Sequence, residues 1–114
     1  MLNYTRKENN MLRINFEFRK GIFFIRLIGN LNNKNYKQNE ILLKDLIVEN
    51  KFKYIVINTN YLNNVDLDGL NHLLEIFYIT KTKETNLVIC DKNSIFKRLL
   101  NNNIPSIKDE LEVL

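Results

Sequence analysis

The sequence predicts an α/β domain, a mixed β-sheet of four to five strands with α-helices packed mainly on one side. Three observations carry this. An apolar alternation of period two begins at Leu12, and a second apolar run follows it after only three polar residues. Beyond residue 30, short β-branched runs alternate with longer stretches of helical period. Right-handed strand–helix–strand crossovers leave their strands parallel, so the hairpin at the start and the crossovers after it give a mixed sheet.

Each element has its own signal. Residues 1–11 are polar and aperiodic and read as a flexible arm, which leaves 12–114 as one domain. In the first strand Leu12, Ile14, Phe16 and Phe18 alternate with Arg13, Asn15 and Glu17, the mark of a half-buried strand. "RKG" at 19–21 is the hairpin turn. Ile22 to Ile28 are apolar on both faces, as a central strand requires, and Gly29 ends the run. "NLNNKN" is a polar turn. From Asn35, the positions Ile41, Leu42, Asp45, Leu46 and Glu49 recur at helical spacing until "NKF" closes the helix. "KYIVINT" at 53–59 is a third strand. An acidic turn follows, then an apolar helix from about Asp68 to Lys81, a strand at 86–91, and a short helix at 93–102 capped by Asn93 or Ser94. Pro105 breaks the chain before "SIKDELEVL", which holds a short strand or extended piece and a last helical turn or two.

Composition narrows the function. At 114 residues the chain has room for one core, and 45% hydrophobic content with three Gly and one Pro is globular composition. The net charge of +4 is spread over Lys and Arg residues that are interleaved with Asp and Glu, so no nucleic-acid surface is expected. Cys90 is the one cysteine, which precludes a disulfide within the chain and fits a reducing compartment. It has no nearby His to make it a nucleophile, and a buried structural thiol is expected. No apolar run reaches the roughly 18–20 residues of a membrane span and no signal-peptide core is present, so a cytoplasmic location without membrane insertion is expected.

The stretch "YLNNVDLDGLNHLLEIF" holds the densest chemistry. Asp66 and Asp68 stand two apart, but a hydrolytic carboxylate pair needs separate elements flanking a cleft. A calcium loop needs more oxygen ligands at fixed spacing, and a zinc site needs more than the single His72. Gly69 stands alone, so no phosphate-binding glycine loop is present. Catalytic residues, metal and cofactor are therefore all expected to be absent, and the chain is read as a non-enzyme. Structurally, Asp68 suits an N-cap or first-turn position, Asp66 closes the preceding turn, and Gly69 permits close packing. His72, one turn on, is expected at the surface or lightly paired. Leu70, Leu73, Leu74 and Phe77 should face the sheet. His72, Ile76 and Ile79 make a second stripe, either for a neighbouring helix or for a partner.

The chain resembles STAS domains, the fold of bacterial anti-sigma factor antagonists, from about Leu12 to its C-terminus. "IFFIRLIGNLN" looks like the family's second strand and its Gly-acidic-Leu-Asp turn. "FKYIVINTNYLNNVDLDGLNHLL" looks like the strand, loop and helix of the Asp-Ser-Ser-Gly-Leu signature, and "NLVICDKNSIFKRLLNNNI" like the strand and helix that follow. In that family an ATP-using anti-sigma kinase phosphorylates the Ser or Thr before the glycine, and the unphosphorylated protein binds the kinase and releases the sigma factor. By this resemblance Asp66 is the signature Asp, Leu67 replaces the next Ser, Asp68 replaces the phospho-acceptor, and Gly69 is the glycine. Asn30 and Asn32 take the acidic positions of the earlier turn. No Ser or Thr lies between Tyr61 and Ile79. Asp68 then either mimics the phosphorylated state or marks a switch that has been lost.

The resemblance implies a protein-interaction module whose partner surface comprises Asn64, Asp66, Leu67, Asp68, Gly69, Asn71 and His72, with Asn30 and Asn32 beside it. The implied partner is an anti-sigma kinase-like protein or, alternatively, a subunit of a membrane-associated machine that uses such a domain as an adaptor. Two other readings are a nucleotide- or small-ligand-binding domain, and a homodimer formed through Ile76, Ile79 and exposed strand edges.

Overall fold

The computed structural model of the chain describes residues 11–100 and 104–114. The arm expected at 1–11 and the end of the helix expected at 93–102 therefore lie almost wholly, and in part, outside the described residues.

β1 (Leu12–Arg19) and β2 (Ile22–Leu31) form the antiparallel hairpin. Lys20 and Gly21 turn it with φ of 52° and 81°, the left-handed pair whose twist matches the strands on either side. β2 does not stop at Gly29. It runs on to Leu31 because it is paired on both sides, to β1 and to β3, and those ladders outweigh the local glycine. Gly29 takes φ 111°, and a Cβ there would sit 2.4 Å from the Met11 carbonyl oxygen, so only glycine carries the strand through this point.

α1 (Tyr36–Glu49) follows, then β3 (Tyr54–Val65), α2 (Leu67–Thr82), β4 (Asn86–Cys90), α3 (Ile95–Leu100), β5 (Ser106–Ile107) and a 3₁₀ turn at Glu110–Val113. The sheet order is β1-β2-β3-β4-β5, with every pair after the hairpin parallel. β3 is longer than the pattern predicts. The turn-like Asn-rich stretch after Thr59 is strand, held in register by β2 as far as Leu31 opposite Val65.

The main core lies between the sheet and the helices. Phe23, Ile25, Leu27 and Leu31 of β2 and Ile55 and Ile57 of β3 meet Leu43 and Ile47 of α1, Leu73, Ile76 and Phe77 of α2, and Phe96 of α3. In α1 the inward face is Leu43 and Ile47, while Ile41 and Leu42 are exposed; both sets have helical spacing, and the direction of the crossover decides between them. The second stripe of α2 faces α1: Ile76 is fully buried and Ile79 packs against the core. A homodimer through Ile76 and Ile79 is thereby overturned.

α3 is capped by neither Asn93 nor Ser94. Ser94 has φ 56°, and the Asp91 carboxylate accepts from the N–H groups of Ile95, Phe96 and Lys97 at 3.0–3.1 Å. On the opposite face of the sheet Phe24, Val56 and Cys90 form a small second core, packed by Ile107 and Val113 of the C-terminal segment. Burial pushes the Cys90 thiol up to about 11. Arg26 in the middle of β2 reaches Glu110 in that segment through two nitrogens, at 2.9 and 2.7 Å, and Glu17 at 2.7 Å. Asn58 adds a bond to the same Glu110 carboxylate at 2.6 Å. Among the described residues no helix is long and apolar enough to cross a membrane.

Candidate functional site

The two turns singled out in the sequence meet in space. β2 and β3 run parallel, and their ends, Asn30 opposite Asn64 and Leu31 opposite Val65, deliver both chains to the same end of the sheet. Asp66 comes next and is the N-cap of α2. One of its oxygens accepts from Gly69 N at 2.9 Å and the other from Asn33 N at 2.9 Å, while its own N–H donates to the Leu31 carbonyl at 3.1 Å. It thus ties the helix start to the neighbouring turn. Asp66 is the cap and Asp68 the first-turn residue, the second of the two places its spacing allows, because β3 runs on and leaves no loop in front of the helix.

The turn at 32–35 is built from asparagines. Asn35 Oδ1 accepts from Asn32 N at 3.0 Å, Asn32 Oδ1 accepts from Lys34 N at 2.9 Å, and Asn35 Nδ2 donates to the Asn30 carbonyl at 2.8 Å. Asn64 Nδ2 donates to Asn30 Oδ1 at 3.3 Å. Gly69 closes the approach from the other side. A Cβ there would be 2.5 Å from the Leu31 carbonyl oxygen, so this glycine serves backbone-to-backbone contact.

The expected partner residues divide by burial. Asn64, Asp66, Leu67, Asp68 and Asn71 are exposed and Asn32 is half-buried. Asn30, Gly69 and His72 are buried, so a partner cannot touch them directly, and their assignment to the contact surface is corrected. Leu67 is the sharpest feature, an aliphatic side chain 70% exposed in the first turn of α2 beside Asp68. Asp68 adds negative charge at the positive end of the helix and, among the described residues, has no side-chain partner. Sequence reasoning missed Asn33, whose N–H locks onto Asp66, because a backbone donor leaves no residue-type signal.

His72 lies in the seam between α1 and α2, only 2% exposed, its ring 6.4 Å from that of Tyr36. Neither ring nitrogen has a hydrogen-bond partner. Burial lowers its pKa below the ordinary 6.5, with Glu40 opposing that shift and Lys44 adding to it. The surface expected for it is wrong because its stripe is the one α1 covers.

Both Asp66 oxygens are engaged by backbone N–H groups, so the Asp66/Asp68 pair is arranged for structure and display. Among the described residues no three His, Cys, Asp or Glu side chains gather as a metal site. The hollow beside the site, lined by Asn60, Leu62, Asn64, Asp91, Lys92 and Phe96 among others, encloses about 190 Å³, below the roughly 300 Å³ at which pockets for small ligands begin.

A family model described as STAS domain matches residues 13–104. An anti-sigma F factor antagonist of Paenibacillus polymyxa is 26% identical over 89 residues, 78% of this chain and 76% of the relative. The anti-sigma factor antagonist SpoIIAA in its unphosphorylated form superposes with TM-score 0.74 at 14% identity, over 90% of this chain and 93% of the other. An anti-sigma factor antagonist from Mycobacterium paratuberculosis gives 0.72 at 13% identity, over 90% of both. At such identities the two structures establish the fold.

Proposed function

This chain belongs to the STAS domain family, and on that premise we propose that it works as a non-enzymatic protein-interaction module of the anti-sigma factor antagonist kind, whose docking site is not switched by phosphorylation. One observation carries the reading: the first turn of α2 displays Leu67 and Asp68 to solvent on a base fixed by Asp66 and Gly69. Asp68 occupies the position at which the family resemblance puts the phosphorylated side chain. Its carboxylate brings about −1, against roughly −1.5 to −2 for a phosphoserine, to the same helix end. The exposed contact set is Asn64, Asp66, Leu67, Asp68 and Asn71, with Asn32 alongside, on a single domain that starts at Leu12. The partner is a protein of the anti-sigma kinase type, and the module works in the cytoplasm.

Affinity capture from native cells tests this, with the chain as it stands, with Asp68→Ser and with Asp68→Lys. The expected result is a kinase-like anti-sigma partner on the first two, released by ATP only from Asp68→Ser, and no capture by a folded Asp68→Lys. Undiminished capture by Asp68→Lys would remove the site from this turn. Capture of a membrane-machine subunit indifferent to ATP would favour the adaptor role.

A further inference from the structure

We infer that the free edge of β1 is a self-association edge, along which β1 of a second copy of this chain pairs antiparallel about a two-fold axis at Asn15. β1 stands at the end of the sheet and is paired on one side only, to β2. The other end of the sheet is β5, a strand of two residues, whereas β1 has eight, with no proline and no break in its register with β2. A long, regular edge of that kind is a template for another strand.

The hairpin fixes where the backbone groups of β1 point. Arg19 and Ile22 flank the two-residue turn and so form a hydrogen-bonded pair, and at the far end of the strand Asn30 N–H donates to the Met11 carbonyl at 3.0 Å. The odd positions from Met11 to Arg19 therefore direct their N–H and C=O groups to β2. Those of Leu12, Ile14, Phe16 and Phe18 point to the open edge. The side chains of these four lie on the helix-bearing face, where Leu12 and Ile14 pack against the core and Phe16 stacks on Phe23 at 5.6 Å. Phe16 nevertheless stays 38% exposed and Phe18 63%.

The sequence of β1 selects both occupant and register. With the axis at Asn15, Leu12 stands opposite Phe18 of the copy and Ile14 opposite Phe16 of the copy, so each outward N–H and C=O group from Leu12 to Phe18 meets its complement. On the other face the exposed Arg13 stands opposite Glu17 of the copy, twice over by symmetry. These are positions without cross-strand hydrogen bonds, where antiparallel strands bring side chains closest. Glu17 already receives Arg26, and Arg26 reaches Glu110, so the cross-copy pairs extend a row of alternating charge. An axis at Phe16 would set Arg13 against Arg19 of the copy, and an axis at Ile14 would set Arg13 against Asn15 and Glu17 against Met11. β1 is thus complementary to itself in one register, which is the requirement of an isologous dimer. The pairing joins the two five-stranded sheets into one, with the helices of both copies on the same side and the first turns of their α2 helices at opposite ends.

Sedimentation of the full chain from micromolar to millimolar concentration, with amide exchange followed over the same range, tests the inference. The expected result is a monomer–dimer equilibrium in which the amides of Leu12, Ile14, Phe16 and Phe18 exchange more slowly as the dimer fills. Arg13→Glu and Glu17→Lys are each expected to weaken the dimer about tenfold or more, since like charges then face each other twice. An equimolar mixture of the two variants is expected to pair as tightly as the unaltered chain, because each Glu again meets a cation. Phe18→Pro, which removes an outward N–H and leaves the ladder to β2 whole, is expected to weaken the dimer as well without touching the Arg26 cluster. A monomer throughout overturns the inference, as does a dimer indifferent to these substitutions or one whose edge amides gain no protection. Edge amides already protected in the monomer would show that the edge is filled from within the chain, and would overturn it too.

Discussion

Asp66 uses its two oxygens on two different elements, and that sets the energetics of the site. Asp66→Ala leaves the N–H groups of Gly69 and Asn33 without their acceptor. It is expected to cost about 1–2 kcal/mol in urea denaturation. Asp68→Asn removes only an exposed first-turn charge and is expected to cost about 0.5 kcal/mol. The position proposed for docking is thus expected to matter less for folding. His72 supplies a pH test. Its folded-state pKa is depressed by burial, so the unfolded chain binds the proton more readily. The stabilisation is complete above the ordinary value of 6.5 and is lost as pH falls below it toward the folded-state value. The melting temperature is therefore expected to fall between pH 7 and pH 5, and His72→Leu to flatten that dependence; an unchanged slope in the variant would assign it elsewhere. At this scale the sequence made the acidic turn conspicuous but left the roles of its two aspartates open, because residue types do not say where the preceding strand stops.

Among the elements, the C-terminal segment depends on a polar clamp as well as apolar contact. Glu110 is mostly shielded from water and receives Arg26 through two nitrogens and Asn58 through one. Arg26 holds its carboxyl below the usual carboxylate range. Glu110→Ala leaves the Arg26 guanidinium partly uncompensated and is expected to cost about 1.5–3 kcal/mol, with faster amide exchange across residues 106–114. Equal exchange in the variant would mean that Ile107 and Val113 hold the segment alone. The order of strands and helices was legible from period and punctuation, since each run is long enough to declare its repeat. Their ends and inward faces were less so. β2 passes through Gly29 and β3 through three asparagines because the β2–β3 ladder runs on to Leu31 opposite Val65 and supplies hydrogen bonds that local preference cannot foresee. In α1 two apolar sets share the same period, and only the sheet beneath selects Leu43 and Ile47 over Ile41 and Leu42. The clamp was invisible for the same reason, as Arg26 and Glu110 lie at opposite ends of the chain.

Across the whole molecule, the sheet divides two unequal interiors. The larger, under the helices, carries most of the buried apolar side chains; the smaller, around Phe24, Val56 and Cys90, depends on the C-terminal segment. Removing residues 106–114 is expected to leave the helices in place by circular dichroism and to make the Cys90 thiol react with an aromatic disulfide reagent in the native state, where the full chain resists it. A thiol as inert in the shortened chain as in the full one would show that the strands close over that face unaided.

The strands also stand in the sheet in the order in which they occur in the chain, β1 to β5. No strand has to be threaded between two that are already paired; each joins the free edge left by its predecessor. Each crossover closes a loop only to the strand just before it, although the parallel pairings after the hairpin are non-local in sequence and slow to close. The sheet can therefore assemble by accretion from the β1–β2 hairpin, with every partly built stage exposing a single growing edge. A chain laid out in this way can begin to fold before all of it has been made.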